Sequence, residues 1–338
     1  MLKPDVYTYS ILLNDAKKRD DVAAMEQMLS EAGEEGLLSQ SPFMAADHLH
    51  AIYLWERKRE DGGTPFTTML STYRMSFHVQ PLKDLGLLPE HYHQPPLPNL
   101  MQPPPPPLGM MIIAFLAEFD GRLTCEALFN RYCDHINHGH PTISLLAATD
   151  YAANAYLMGL GRQLRTLHLC TSVIQYMLRP SKMPAAAAHR GDVVMHATPT
   201  VQTWSILLAA FLRHGQRLAA NKVLSMMRSK GLKPNLVTWN TLISGHAKLQ
   251  DVDGALSALR GLKEDGFEMD DYTLKGLGRI RDRRRLVEAL QESDELEEIE
   301  ESAASLPTDG GGEQVAVESD QSRPQKVVLT SLASLRGG

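Results

Sequence analysis

Two consecutive stretches decide the fold: residues 201–235, VQTWSILLAAFLRHGQRLAANKVLSMMRSKGLKPN, and residues 236–270, LVTWNTLISGHAKLQDVDGALSALRGLKEDGFEMD. They have equal length and align without a gap, Trp204 with Trp239, Leu207 with Leu242, Ala220 with Ala255 and Gly231 with Gly266. Residues 6–40, VYTYSILLNDAKKRDDVAAMEQMLSEAGEEGLLSQ, fall into the same frame, with Tyr9, Leu12, Met25 and Gly36 at those positions. A fixed period of this size marks a stacked solenoid, in which each copy buries its apolar face against the next.

Each copy carries two helical periodicities separated by a polar break. Trp204, Leu207, Leu208 and Phe211 make one apolar stripe, and after Gly215 a second runs through Ala220, Val223, Leu224 and Met227. The next copy repeats this with Trp239, Leu242 and Ile243, then Ala255, Leu256, Leu259 and Leu262. Gly231 followed by Pro234 is a helix stop, and Asp251 is placed to cap the second helix of its copy. The tryptophans lie on the apolar stripes and read as core.

These residues resemble the pentatricopeptide repeat family. The phrases LVTWNTLISGHAK, KGLKPN and YTYSILLNDAKK are similar to its VTYNTLI…GIKPD pattern, closely over 201–270, well over 1–40 and weakly elsewhere. The W-x2-L-G-x2-Y pattern of the tetratricopeptide repeat is absent. The resemblance implies an all-α, right-handed superhelical solenoid of helix-turn-helix repeats. It also implies binding of single-stranded RNA, one base per repeat, read by two or three side chains. In the family the fifth and last residues of a repeat contact the base edge, and the second packs on its face. Carried over, the base-reading residues are Ser205 with Asn235, Asn240 with Asp270, and Ser10. The stacking residues are Gln202, Val237 and Tyr7. Ser10 has Gln40 as its last-residue partner, a departure from the usual Asn or Asp, so that repeat is assigned no nucleotide. The Ser/Asn pair resembles the family's adenine-preferring combination and the Asn/Asp pair its uracil-preferring one. Asp can only accept a hydrogen bond, which suits the N3–H of uracil. Asn235 and Asp270 are also ordinary turn residues after a helix.

The net charge of −6 is unevenly spread. Residues 292–338 hold 11 acids and 3 bases, which leaves a net of +2 on residues 1–291. Repeat 201–235 has six bases and no acid. Arg213, Arg217, Lys222, Lys248 and Lys275 are the expected phosphate contacts, although a basic helical pair is equally a solvated or protein-docking face. Three cysteines without framework spacing point to a reduced compartment. No apolar run is long enough to span a membrane. The family works mainly in mitochondria and chloroplasts, and the resemblance gives a mitochondrial expectation. Met1-Leu-Lys-Pro-Asp5 matches the repeat tail Gly231-Leu-Lys-Pro-Asn235, so an upstream repeat is expected to be missing.

The expected organisation is an N-terminal repeat at 1–40, a degenerate helical pair at 41–93 and a proline-rich linker or protruding loop at 94–108. Two degenerate repeats at 109–183 follow, turned at Asp120-Gly121 and near Gly161. A loop insertion at 184–200 precedes the regular repeats at 201–270, a terminal helix or half-repeat at 271–291 and an acidic, largely disordered tail at 292–338. Cys133, His135, His138 and His140 are metal-ligand types at short spacing, but no second Cys/His pair lies at finger distance. No P-loop, nucleophile elbow, dinucleotide fingerprint or HExxH is present, so neither a cofactor nor catalysis is expected. Two readings stay open. One is an RNA-binding adaptor in organelle RNA processing, stability or translation. The other is a helical-repeat scaffold for a protein partner in ribosome or respiratory-complex assembly.

Overall fold

The two periodicities of each repeat become two helices. The computed structural model describes residues 4–291, apart from 20, 40, 60–62, 99, 119–121, 180–195 and 289. Among the described residues the regular structure is helical, with one isolated parallel bridge between Phe77 and Met101. The expected turn at Asp120-Gly121, most of the 184–200 insertion and the acidic tail lie outside the described residues. No described helix is long and apolar enough to cross a membrane.

The chain divides into two compact units, Met1–Thr203 and Trp204–Gly338. In the first, α1 (Val6–Arg19) packs on α2 (Val22–Glu34), and α3 (Pro42–Glu56) on α4 (Pro65–Ser76). A short α5 (Gln80–Asp84) precedes α6 (Pro105–Glu118) and α7 (Arg122–Asn137), and α8 (Tyr151–Leu160) packs on α9 (Leu167–Met177). Helices α1 and α3, and then α6 and α8, also pack on each other, so successive pairs stack. Ser41 caps α3 by accepting from the Phe43 N–H at 3.3 Å. The first repeat therefore runs one residue beyond the frame drawn from 6–40, and the residue in the last-position role is Ser41. Gln40 lies outside the described residues.

The expectation that the whole proline run is non-helical linker is corrected. Helix α6 begins at Pro105, and Pro107 is buried within it. Proline fits a first helical turn because that turn's N–H groups have no partner inside the helix. Before it, Gln94 and Met101 are held against the end of α4. The Gln94 side chain donates to the carbonyls of Arg74 and Phe77 at 2.7 and 2.8 Å and accepts from the Val79 N–H at 3.2 Å. The His78 N–H donates to the Met101 carbonyl, and the Met101 N–H to the Ser76 carbonyl, at 3.0 and 2.9 Å. A second long-range tie closes the other end of α4. Glu118 accepts from the Phe66 and Thr67 N–H groups at 2.8 and 3.1 Å, and from the Thr67 hydroxyl. Thr64, the residue before α4, makes no side-chain cap bond, so a carboxylate from α6 supplies the missing acceptor.

The Cys133 and His135–His140 cluster is dispersed among separate partners. His135 Nε2 meets the Asp84 carbonyl at 2.8 Å, and His138 Nδ1 the Asp134 carbonyl at 2.7 Å. His140 Nδ1 accepts from the N–H groups of Thr142 and Ile143, which leaves Nε2 to donate to Asp84 Oδ2 at 3.1 Å. Burial pushes the Cys133 and Cys170 thiols up to about 12. No three His, Cys, Asp or Glu groups among the described residues converge on an ion position.

The second unit opens within α10 (Val201–Arg213) and continues through α11 (Arg217–Ser229), α12 (Leu236–Lys248), α13 (Val252–Glu264) and α14 (Asp271–Leu277). Residues 283–288 form a further helical turn. Trp204 and Trp239 are buried with Leu207, Leu242 and Ile243, as their stripe predicts. The Trp239 Nε1–H donates to Asp265 at 2.9 Å, satisfying the one polar group that its burial threatens. Asp251 caps α13 through Gly254 at 3.2 Å. Gly231 and Gly266 close their helices at φ of 76° and 80°, a conformation that other residues adopt only under strain.

Candidate nucleic-acid interface

Each regular repeat begins with a capped helix, and the cap is the residue that ends the repeat before it. Asn235 caps α12 and Asp270 caps α14, each in a reciprocal box with the threonine three residues on. These two are therefore helix starters, not turn residues after a helix. Asp5 caps α1 in the same way, accepting from the Thr8 N–H at 2.9 Å and its hydroxyl at 2.7 Å. Those two bonds, the hydroxyl first, hold the Asp5 carboxyl below its usual range. Thr200 and Thr203 exchange the equivalent pair of bonds before α10.

The cap geometry fixes where the base-reading residues sit. The Asn240 side-chain amide donates to both oxygens of Asp270 at 3.0 and 3.2 Å, and its Oδ1 accepts from the Thr273 hydroxyl at 2.6 Å. Asp270 carries two opposing influences. Burial raises its pKa, but bonds from the Thr273 amide and hydroxyl and from Asn240 outweigh that and lower it. One repeat earlier, Thr238 Oγ1 lies 2.8 Å from Ser205 Oγ and 2.9 Å from Asn235 Oδ1. Ser205 is buried, 6% exposed.

A groove of about 940 Å³ runs across α10, α12 and α14. Val237, Asn240 and Asp270 line it together with Arg213, Lys248 and Lys275, so six of the residues expected from sequence meet there. Ser205, Asn235 and Gln202 do not line it, although Gln202 is exposed. Two of the expected basic residues lie outside the groove. Arg217 is held by Asp251 at 3.0 Å at the start of α11, and Lys222 is exposed on α11 outside the groove. In the first repeat, Ser10 bonds to Asp47, which also takes Lys17 at 2.7 Å.

The second residue after each cap is open to solvent: Tyr7 is 77% exposed, Phe43 71%, Val237 65% and Tyr272 72%. Large apolar side chains left exposed at one repeated position form a set of flat stacking surfaces. Tyr272 and Phe43 were missed from sequence. Tyr272 follows Val237 by one period and is legible from the frame, whereas Phe43 is hidden by the one-residue shift at Ser41. The Lys275 ammonium lies 5.7 Å from the centre of the Tyr272 ring. Lys18, exposed on α1, was also missed and shares its repeat position with Arg213 and Lys248. A basic residue there also complements the negative end of its helix.

The family model described as the PPR repeat family matches residues 199–248 and 234–277. A chloroplastic pentatricopeptide repeat-containing protein of Arabidopsis thaliana is 39% identical over 80 residues, covering 22% of this chain and 15% of that protein. A second chloroplastic relative from the same plant is 34% identical over 70 residues, covering 20% and 9%. Among solved structures, the pentatricopeptide repeat protein PPR10 from maize superposes with a TM-score of 0.42 at 17% identity, covering 97% of this chain and 47% of that one. PPR10 in complex with an 18-nt psaJ RNA element superposes with a TM-score of 0.35 at 14% identity, covering 86% and 50%. The chain thus spans less than a sixth of either plant relative and about half of PPR10. Residues 199–277 thus carry repeats that match the pentatricopeptide repeat family, and the match is to this part of the chain.

Proposed function

We propose that this protein binds single-stranded RNA through the α10–α12–α14 groove, acting as an adaptor and not as an enzyme. One observation carries the reading: the Asn240–Asp270 pair lies in a groove that also holds exposed Val237 and Tyr272 and the cations Arg213, Lys248 and Lys275. Edge readers, stacking faces and phosphate-neutralising charge are the three parts a single-strand site needs. Asn240 with Asp270 takes uracil and Ser205 with Asn235 takes adenine, following the family's combinations. The role is in organelle RNA processing, stability or translation, with the mitochondrion as the compartment. Imaging of a fluorescent fusion tests that assignment, and a chloroplast or cytosolic signal overturns it.

The binding test is selection of the full chain against a random single-stranded RNA pool. Retained sequences enriched in an adenine–uracil step, with enrichment lost in Asn240→Ala and Asp270→Ala, support the reading. No retention at low salt, where phosphate contacts are strongest, defeats it. A protein-binding scaffold is the second reading. It is favoured by Ser10, whose hydroxyl is engaged with Asp47 in the first repeat.

A further inference from the structure

We infer that Thr273 fixes which way the Asn240 amide faces and thereby shifts the groove's choice between uracil and guanine toward uracil. The inference rests on the RNA reading of that groove. Thr273 reaches no base, because it is fully buried, so it is a positioning residue.

The argument follows its one hydroxyl proton. Thr273 Oγ1 lies 2.6 Å from Asn240 Oδ1 and 2.9 Å from Asp270 Oδ1. Asp270 Oδ1 already accepts from the Thr273 backbone N–H at 2.8 Å, and Thr273 Oγ1 accepts from the Asp270 N–H at 3.3 Å. The hydroxyl is within donor reach of both oxygens, and its shorter contact is the one to Asn240. At the other end of the amide, Nδ2 donates to both Asp270 oxygens, at 3.0 and 3.2 Å. An inverted amide would set its oxygen against a carboxylate. Hydroxyl and carboxylate therefore clamp the amide from both ends.

The clamp decides what the groove offers. One Nδ2 proton is spent on Asp270, and the second remains beside the carboxylate's free lone pairs. Because Asn240 and Asp270 both line the groove, a base meets a donor next to an acceptor. Uracil presents the complement, a carbonyl oxygen next to N3–H, and guanine presents it too, with O6 next to N1–H. An amide free to turn would place a second acceptor beside the carboxylate, which suits the adjacent N1–H and N2–H donors of guanine. The same threonine starts α14, and that structural role conceals the selective one.

The test titrates the full chain with four short RNAs that differ only at the base facing Asn240 and Asp270, read by fluorescence anisotropy. Thr273→Val keeps the side-chain volume and removes the hydroxyl, and Thr273→Ser keeps the hydroxyl. The valine variant is expected to lower the uracil-over-guanine preference about two- to tenfold, the worth of one hydrogen bond. The serine variant restores it. Thr238→Val, which removes the matching hydroxyl one repeat earlier, leaves this preference in place. A valine variant that loses affinity equally for all four bases overturns the inference, since Thr273 then only caps α14. A wild-type protein with no preference at this base defeats the RNA reading, and the inference with it. Should the valine variant unfold, NMR of the wild-type Asn240 side-chain amide decides. A rigid amide, with a nitrogen order parameter of about 0.85, is expected, and one below about 0.6 overturns the inference.

Discussion

The Asn240 amide donates to both carboxylate oxygens of Asp270, thirty residues further along the chain, at 3.0 and 3.2 Å. The two side chains thus form one unit that ties the first helix of a repeat to the residue that ends the repeat and caps the next helix. Groups bonded in this way do not contribute independently. In a double-mutant cycle of Asn240→Ala and Asp270→Ala, the effects on RNA affinity are expected to be non-additive by about 0.5–3 kcal/mol. Strict additivity in anisotropy titrations would show that the bond has no part in binding.

Asp270 also gives the protein an acid-sensitive element. Its folded pKa lies below the ordinary carboxylate value, so in acid the unfolded state binds its proton first. Its contribution is fully present above about pH 5 and is lost as pH falls through the folded pKa, below about 4. Wild type should therefore lose more thermal stability than Asp270→Asn as pH falls from about 5 to about 2. Parallel melting curves for the two proteins would sink the idea.

The cations separate by location. Arg213→Ala and Lys248→Ala should each weaken RNA binding across all sequences, and each should reduce the slope of log K against log salt by about 0.7. Arg217→Ala should leave that slope unchanged, because Arg217 is occupied by Asp251 outside the groove. Titrations at four salt concentrations distinguish the two groups. Equal slopes for all three variants would mean that the groove does not hold the backbone.

Two packing sites give stability predictions that do not depend on RNA. A Cβ on Gly261 would lie 2.3 Å from Trp239 Cη2, so Gly261→Ala overpacks the ring and should cost about 1–3 kcal/mol in denaturant unfolding. In the other unit, Glu118→Ala removes the acceptor for the first turn of α4, a loss of about 0.5–2 kcal/mol if it behaves as an ordinary cap. Midpoints unchanged from wild type would contradict either account.

The regular repeats were legible because periodicity, caps and stop glycines agree within them. Trp204 and Trp239 fell on a 3.6-residue stripe, and Asp251 stood one residue before the next stripe. The proline segment was misread because its chemistry is local but its fate is tertiary. Nothing in QPPLPNLMQPPPPP shows that Gln94 will bond three backbone groups of a helix end, or that Glu118 will cap α4 from fifty residues away. In the groove, residue types were readable but occupancy was not. Arg213 and Arg217 look alike in sequence, and only folding brings Asp251 to one of them. The role of Asn235 and Asp270 was half visible. Their spacing marked them as repeat ends, while the helix start they share with Thr238 and Thr273 required the backbone.

That shared position limits what such a chain can become. Because Asn235 and Asp270 must accept from the backbone of the next helix, only short side chains with an oxygen at the right reach can replace them without loss. Asn, Asp, Ser and Thr meet that condition, and long or apolar residues do not. The vocabulary at one of the two edge-reading positions is set by the geometry of helix initiation before any nucleotide is encountered. New specificities in this architecture must therefore come from exchanges within those four residues, or from the fifth position, where no helix start depends on the choice of residue.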